Sequence, residues 1–123
     1  MIDLSIHQKI AIVGGPKVGK TTLASTINDG RMVLSTDDFM DIDWPDQPYA
    51  ILDALRREAV WCVEGIQVAR ALRKGLQPDC VVLLTVPHVE LTTKQAALTK
   101  AVGKWFRDWL GTAKLDKIKF YEL

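Results

Sequence analysis

The chain has 123 residues, 48% hydrophobic and 25% charged, with a formal net charge of +1. That length suits one core and a single domain over residues 1–123, and the composition excludes a disordered or membrane-spanning chain. Near-neutrality names no polyanionic partner, but the charge is unevenly spread: acids dominate residues 37–58 and bases residues 94–119. The basic run reads either as a solvated helix face or as an anion-binding surface.

A short polar lead precedes the first apolar run, at residues 9–13, which is too short for a signal peptide or a spanning helix. The chain is therefore expected in the cytoplasm. A helical pattern over 20–28 follows a glycine-rich loop, and a second apolar run, 32–34, leads through Asp37 and Asp38 to a helix over 49–58. A third run, 59–63, stops at Glu64, with a helix over 67–74 behind it. The fourth, 80–86, ends on Pro87 without a carboxylate. A long helix over 91–110 and a last strand over 118–121 complete the series.

Short apolar strands alternating with helices predict an α/β fold of three layers, a five-stranded parallel sheet between helices, with strands buried on both faces. In the long helix Leu98, Val102, Trp105, Phe106, Trp109 and Leu110 make one apolar stripe, so its tryptophans are expected as core anchors. Cys62 and Cys80 sit inside apolar runs without disulfide or metal spacing, which suits a reducing compartment.

The stretch IAIVGGPKVGKTTLAS, residues 10–25, carries Gly-x4-Gly-Lys-Thr (Walker A) between a strand and a helix. That is the context in which such a loop cradles phosphates: glycines let the backbone approach, and amide groups with the helix start face the oxygens. Gly14, Gly15, Pro16, Lys17, Val18, Gly19, Lys20, Thr21 and Thr22 are expected to hold a triphosphate. Lys20 would reach the β- and γ-phosphates, the Thr21 hydroxyl would join a Mg²⁺ shell, and Lys17 at the tip would face an acceptor.

A cradle alone only binds; chemistry needs acids beside it. If the second and third strands flank the first, their carboxyl ends bring Asp37, Asp38 and Glu64 to the loop. Asp37 is then a candidate general base for an incoming hydroxyl, and Asp38 or Glu64 a Mg²⁺ ligand, directly or through water. A GTPase switch calls for an Asn-Lys-x-Asp guanine motif and an Asp-x-x-Gly switch element, and the chain is read as having neither. A motor ATPase calls for an apolar strand ending Asp-Glu and about twice the length.

STDDF, residues 35–39, resembles the Gln-Asp-x-Phe element of uridine and nicotinamide riboside kinases, and VEG, residues 63–65, their third-strand element. The resemblance implies a P-loop kinase fold using ATP and Mg²⁺, with Asp37 as catalytic base and Glu64 as the Mg²⁺-linked acid. STDDF…W followed by VEGIQVARALRKGL looks closer still to short kinases of tailed bacteriophages, among them 5-hydroxymethyluridine DNA kinases. That likeness implies modified DNA as acceptor, a host cytoplasm, and no membrane or protein partner.

Nucleoside kinases carry an arginine-rich lid after the fourth strand. Here residues 85–110 hold one helix and few arginines, a reduced lid whose open acceptor side suits a polymer. Arg70 and Arg73, three apart on a helix, either clamp the transferring phosphate or acceptor in place of lid arginines or form a solvated face. Trp44 is either a stacking platform for an acceptor base or a loop anchor; with Asp38, Arg70 and Arg73 it makes the candidate acceptor site. His88 is given no role. Two further readings stay open: a kinase of a free nucleoside, nucleotide or metabolite, and a nucleotide-binding module whose hydrolysis regulates a partner.

Overall fold

Alternate residues of the first strand, β1 (Lys9–Gly14), feed two separate cores, as the period of two requires. Ile10 and Ile12 pack with Leu4, Ala24 and Ile27 on one side of the sheet, whereas Ala11 and Val13 pack with Val63, Val68, Leu72, Val102 and Phe106 on the other. The computed structural model describes residues 3–123. In chain order β1 is followed by α1 (Lys20–Ser25), β2 (Met32–Ser35), α2 (Gln47–Leu55), β3 (Trp61–Gly65), α3 (Val68–Arg73), β4 (Cys80–Leu84), α4 (Thr93–Leu110) and β5 (Lys119–Glu122). Helices α2, α3 and α4 cover one face and α1 the other, giving the three layers expected.

The five strands run in the order β2-β3-β1-β4-β5, and every neighbouring pair is parallel. All five carboxyl ends therefore meet at one edge. One expectation needs correcting here: β1 is flanked by β3 and β4, with β2 one place further out. Because β2 still runs parallel, its end reaches the same edge as the loop after β1. Burial on both faces holds for β1 and β3, but the outermost strands expose Met32, Val33 and Phe120, since a sheet margin has a neighbour on one side only.

Element ends depart from the pattern for local reasons. Helix α1 stops at Ser25 rather than 28 because the Ser25 and Thr26 hydroxyls donate to the carbonyls of Thr22 and Leu23, the back-bonding that competes with helix continuation. Strand β3 begins two residues late and runs through Glu64 to Gly65. Helix α4 starts at Thr93 behind a reciprocal capping box, in which Thr92 and Gln95 each bond the other's main-chain N–H. Its stripe turns inward as expected, with Val102, Phe106 and Trp109 buried. No described helix is long and apolar enough to cross a membrane.

Candidate functional site

The loop after β1 is shaped by two left-handed residues, Lys17 at φ 63° and Gly19 at φ 90°. Gly19 stands at the start of α1 with no side-chain cap, so the first amide groups of the helix are left for a ligand. Lys17 is held in a conformation that costs a side-chain-bearing residue about 1–2 kcal/mol, and one restraint is visible: the His88 main-chain N–H donates to the Lys17 carbonyl at 2.8 Å. The His88 ring packs on Gly19 so closely that a Cβ there would stand 2.8 Å from its Cε1. On the other flank Gly15 abuts Thr99 of α4.

Into this loop Lys20 folds back, its Nζ donating to the Gly15 carbonyl. Burial pushes its ammonium below the usual lysine value, opposed by the nearby Glu64 and Asp37 carboxylates. The Thr21 hydroxyl donates to Glu64 Oε1 at 3.2 Å. Glu64 is only 3% exposed, and the ion pairs found among the described residues do not include it. A buried carboxylate whose partner is a hydroxyl is a place where a cation is wanted.

Asp37 completes the group. The Ser35 hydroxyl accepts from the Asp37 main-chain N–H at 3.3 Å and starts the 3₁₀ turn Thr36–Phe39. Behind it the buried Thr36 packs on Gly65, whose φ of 136° and missing Cβ let the ends of β2 and β3 touch. A cleft of about 340 Å³ results, lined by Lys17, Lys20, Thr21, Asp37, Glu64 and Gly65 among others.

The donor set fits Mg²⁺. Thr21 and Glu64 offer hard oxygen donors, and no three His, Cys, Asp or Glu side chains cluster among the described residues. A cation here would take its other ligands from phosphate oxygens and water, which is how Mg²⁺ is usually held.

Not every expected residue arrives. Pro16, Lys17, Gly19, Lys20, Thr21, Thr22, Asp37 and Glu64 line the cleft; Asp38 is exposed and is not among the lining residues. Trp44, Arg70 and Trp105 form a separate cluster, with the Arg70 guanidinium 4.6 Å from the Trp44 ring and 5.6 Å from the Trp105 ring. Arg70 Nη1 also donates to the Trp44 carbonyl at 2.9 Å and to Gln67 Oε1 at 2.8 Å. Arg73 instead pairs with Asp108 at 3.9 Å and lines a hollow with Lys9, the first residue of β1, at the opposite edge of the sheet. The two arginines therefore do not form one clamp.

Sequence reasoning missed His88, Thr36, Gln67 and Thr99. For His88 the available signal was its place just past the fourth apolar run.

No protein-family model matches the chain. It is similar to the GTPase Der of Nitrosospira multiformis, at 30% identity over 136 aligned residues covering 92% of this chain and 29% of that protein. The GTPase Der of Cupriavidus metallidurans gives 27% identity over 90% of this chain and 30% of the relative, and that of Nitrosomonas europaea 29% over 78% and 26%.

This chain has a P-loop α/β fold. It spans less than a third of the length of those relatives. The similarity points toward GTPases, the class set aside for want of its motifs. In this P-loop protein the string Asp-x-x-Gly does occur once, at Asp108–Gly111, but it closes α4 beside the hollow at the far end of the strands, away from the phosphate loop.

Proposed function

We propose that the P-loop protein transfers the γ-phosphoryl group of ATP to a hydroxyl acceptor. The observation that carries this reading is that Asp37 shares one cleft with Lys20, Thr21 and Glu64. In that arrangement Asp37 accepts the proton of the incoming hydroxyl as its oxygen bonds to the γ-phosphorus. The bond to the β-phosphate oxygen breaks and the nucleoside diphosphate leaves. Lys20 exchanges the Gly15 carbonyl for phosphate oxygens and offsets their charge. Thr21 and Glu64 would hold Mg²⁺, which would supply neutralisation of phosphate charge. Phosphoryl transfer asks mainly for positioning and electrostatics, so this short set suffices.

The acceptor best supported by the resemblance of residues 33–76 is the 5-hydroxymethyl group of hydroxymethyluracil in DNA. Arg70 serves there as a positioning residue, since its Nη1 is held by the Trp44 carbonyl and Gln67 Oε1. The test is transfer of ³²P from γ-labelled ATP to hydroxymethyluracil DNA, to the free nucleoside and to water. Label on DNA that falls as salt rises supports the DNA acceptor, because phosphate contacts release counterions. Label on the nucleoside alone replaces the acceptor and keeps the kinase.

A second reading is nucleotide hydrolysis, with water as the acceptor. The similarity to GTPases named Der favours it. Release of inorganic phosphate from GTP, with no labelled product in either acceptor pool, would establish it over transfer.

A further inference from the structure

Trp44 is 47% exposed, yet it is held on several sides. One ring face carries the Arg70 guanidinium at 4.6 Å. Trp105 of α4 leans against the ring at 6.1 Å between centroids and 53° between planes, and the Trp44 carbonyl accepts from Arg70 Nη1 at 2.9 Å. An exposed tryptophan fixed in this way has already lost the freedom that binding would otherwise cost it.

Its mounting leads back to the proposed base. Arg70 Nη1 also donates to Gln67 Oε1 at 2.8 Å, and the main-chain N–H of the buried Gln67 points at Thr36 Oγ1 at 3.5 Å. Thr36 directly precedes Asp37. Trp44 and Asp37 thus stand on one connected frame of Thr36, Gln67 and Arg70, at the end of the sheet where the phosphate loop lies.

We propose that Trp44 is the platform on which a planar ring of the acceptor stacks, and that this ring is an unstacked nucleobase. The proposal rests on the reading of the cleft as a phosphoryl-transfer site. Charge selects the ring over other parts of a nucleic acid. Asp41, Asp43 and Asp46 surround Trp44 in the chain and repel a phosphate backbone, leaving the neutral base as the part that approaches. Arg70 already draws on the electron-rich cloud of the ring, so its exposed part suits a base with carbonyl edges better than the C–H groups of a sugar or a second cation. Every base has a π-face, and such stacking is sequence-tolerant. A base lying on Trp44 must be single-stranded or flipped from its duplex.

The test compares wild type, Trp44→Ala and Trp44→Phe for binding a fluorescein-labelled single-stranded oligonucleotide that carries one hydroxymethyluracil, by anisotropy. Tryptophan emission is followed in the same titration. Trp44→Ala is expected to weaken binding roughly 5- to 150-fold, the range that stacking on an aromatic supplies. Trp44→Phe is expected to recover most of it, and the quench of tryptophan emission seen for wild type should be missing in Trp44→Phe. In the transfer assay the loss should appear in KM with kcat nearly kept. Binding and quench unchanged in both variants would overturn the platform, as would no binding by wild type. Loss of binding in Trp44→Ala with no transfer in any protein would keep the platform and sink the kinase reading. Transfer at unchanged KM in Trp44→Ala would do the reverse.

Discussion

Thr36 stands where a side chain on Gly65 would have to go: a Cβ built there lies 1.8 Å from Thr36 Oγ1 and 2.8 Å from Thr36 Cβ. This contact draws the end of β2 onto the end of β3 and so sets Asp37 opposite Glu64. Gly65→Ala combines an atomic overlap with a left-handed φ of 136°. It should cost about 2–5 kcal/mol of stability, read by urea denaturation. Pairing it with Thr36→Gly should recover part of that loss. A Gly65→Ala protein as stable as wild type would show that the two strand ends are not locked.

Glu64 is the acid that a cation would use. Glu64→Gln keeps an oxygen able to accept from the Thr21 hydroxyl, so the fold should persist and its circular dichroism should match wild type. The half-saturating Mg²⁺ concentration for nucleotide turnover should rise roughly tenfold or more, the scale on which metal-site substitutions act. An unchanged Mg²⁺ curve would remove Glu64 from the metal site.

Lys20 carries a pH signature. Burial lowers its pKa in the folded chain below 10.5, so between the folded and unfolded values the unfolded chain binds more protons. Stability from this group therefore rises with pH through that window, and Lys20→Met should flatten the rise in a denaturation series taken on the alkaline side up to pH 10.5. Nucleotide affinity should move the opposite way, falling as the folded-state lysine loses its charge. Nucleotide turnover by Lys20→Met should drop by about 10²–10³-fold, as when one preorganised donor to developing charge is removed. Equal affinity across this pH range would argue that Lys20 does not meet the phosphates.

What the sequence showed and hid divides along physical lines. The cradle was legible because its chemistry is local: strand, glycine loop, lysine and threonine lie within residues 9–21. Asp37 and Glu64 were legible as strand-end acids, although Glu64 is inside β3 rather than beyond it. Strand order was not legible, because pairing is a long-range choice among similar apolar runs; β4 rather than β2 became the second neighbour of β1. Arg70 and Arg73 read as a pair, clamp or solvated face, because two arginines at helical spacing look alike in sequence, and only the fold brings Trp44 and Trp105 to one of them. His88 offered only its place just past the fourth strand, since its importance lies in packing on Gly19.

The central claim is that Asp37 takes the acceptor proton in a site built around the phosphate loop. Rapid-quench single turnover of γ-labelled ATP with hydroxymethyluracil DNA, for wild type and Asp37→Asn at equal nucleotide occupancy, tests it most directly. Asp37→Asn should bind nucleotide as wild type does and transfer phosphate about 10²–10⁴-fold more slowly, the range of general base catalysis. Transfer by Asp37→Asn at the wild-type rate would contradict the assignment.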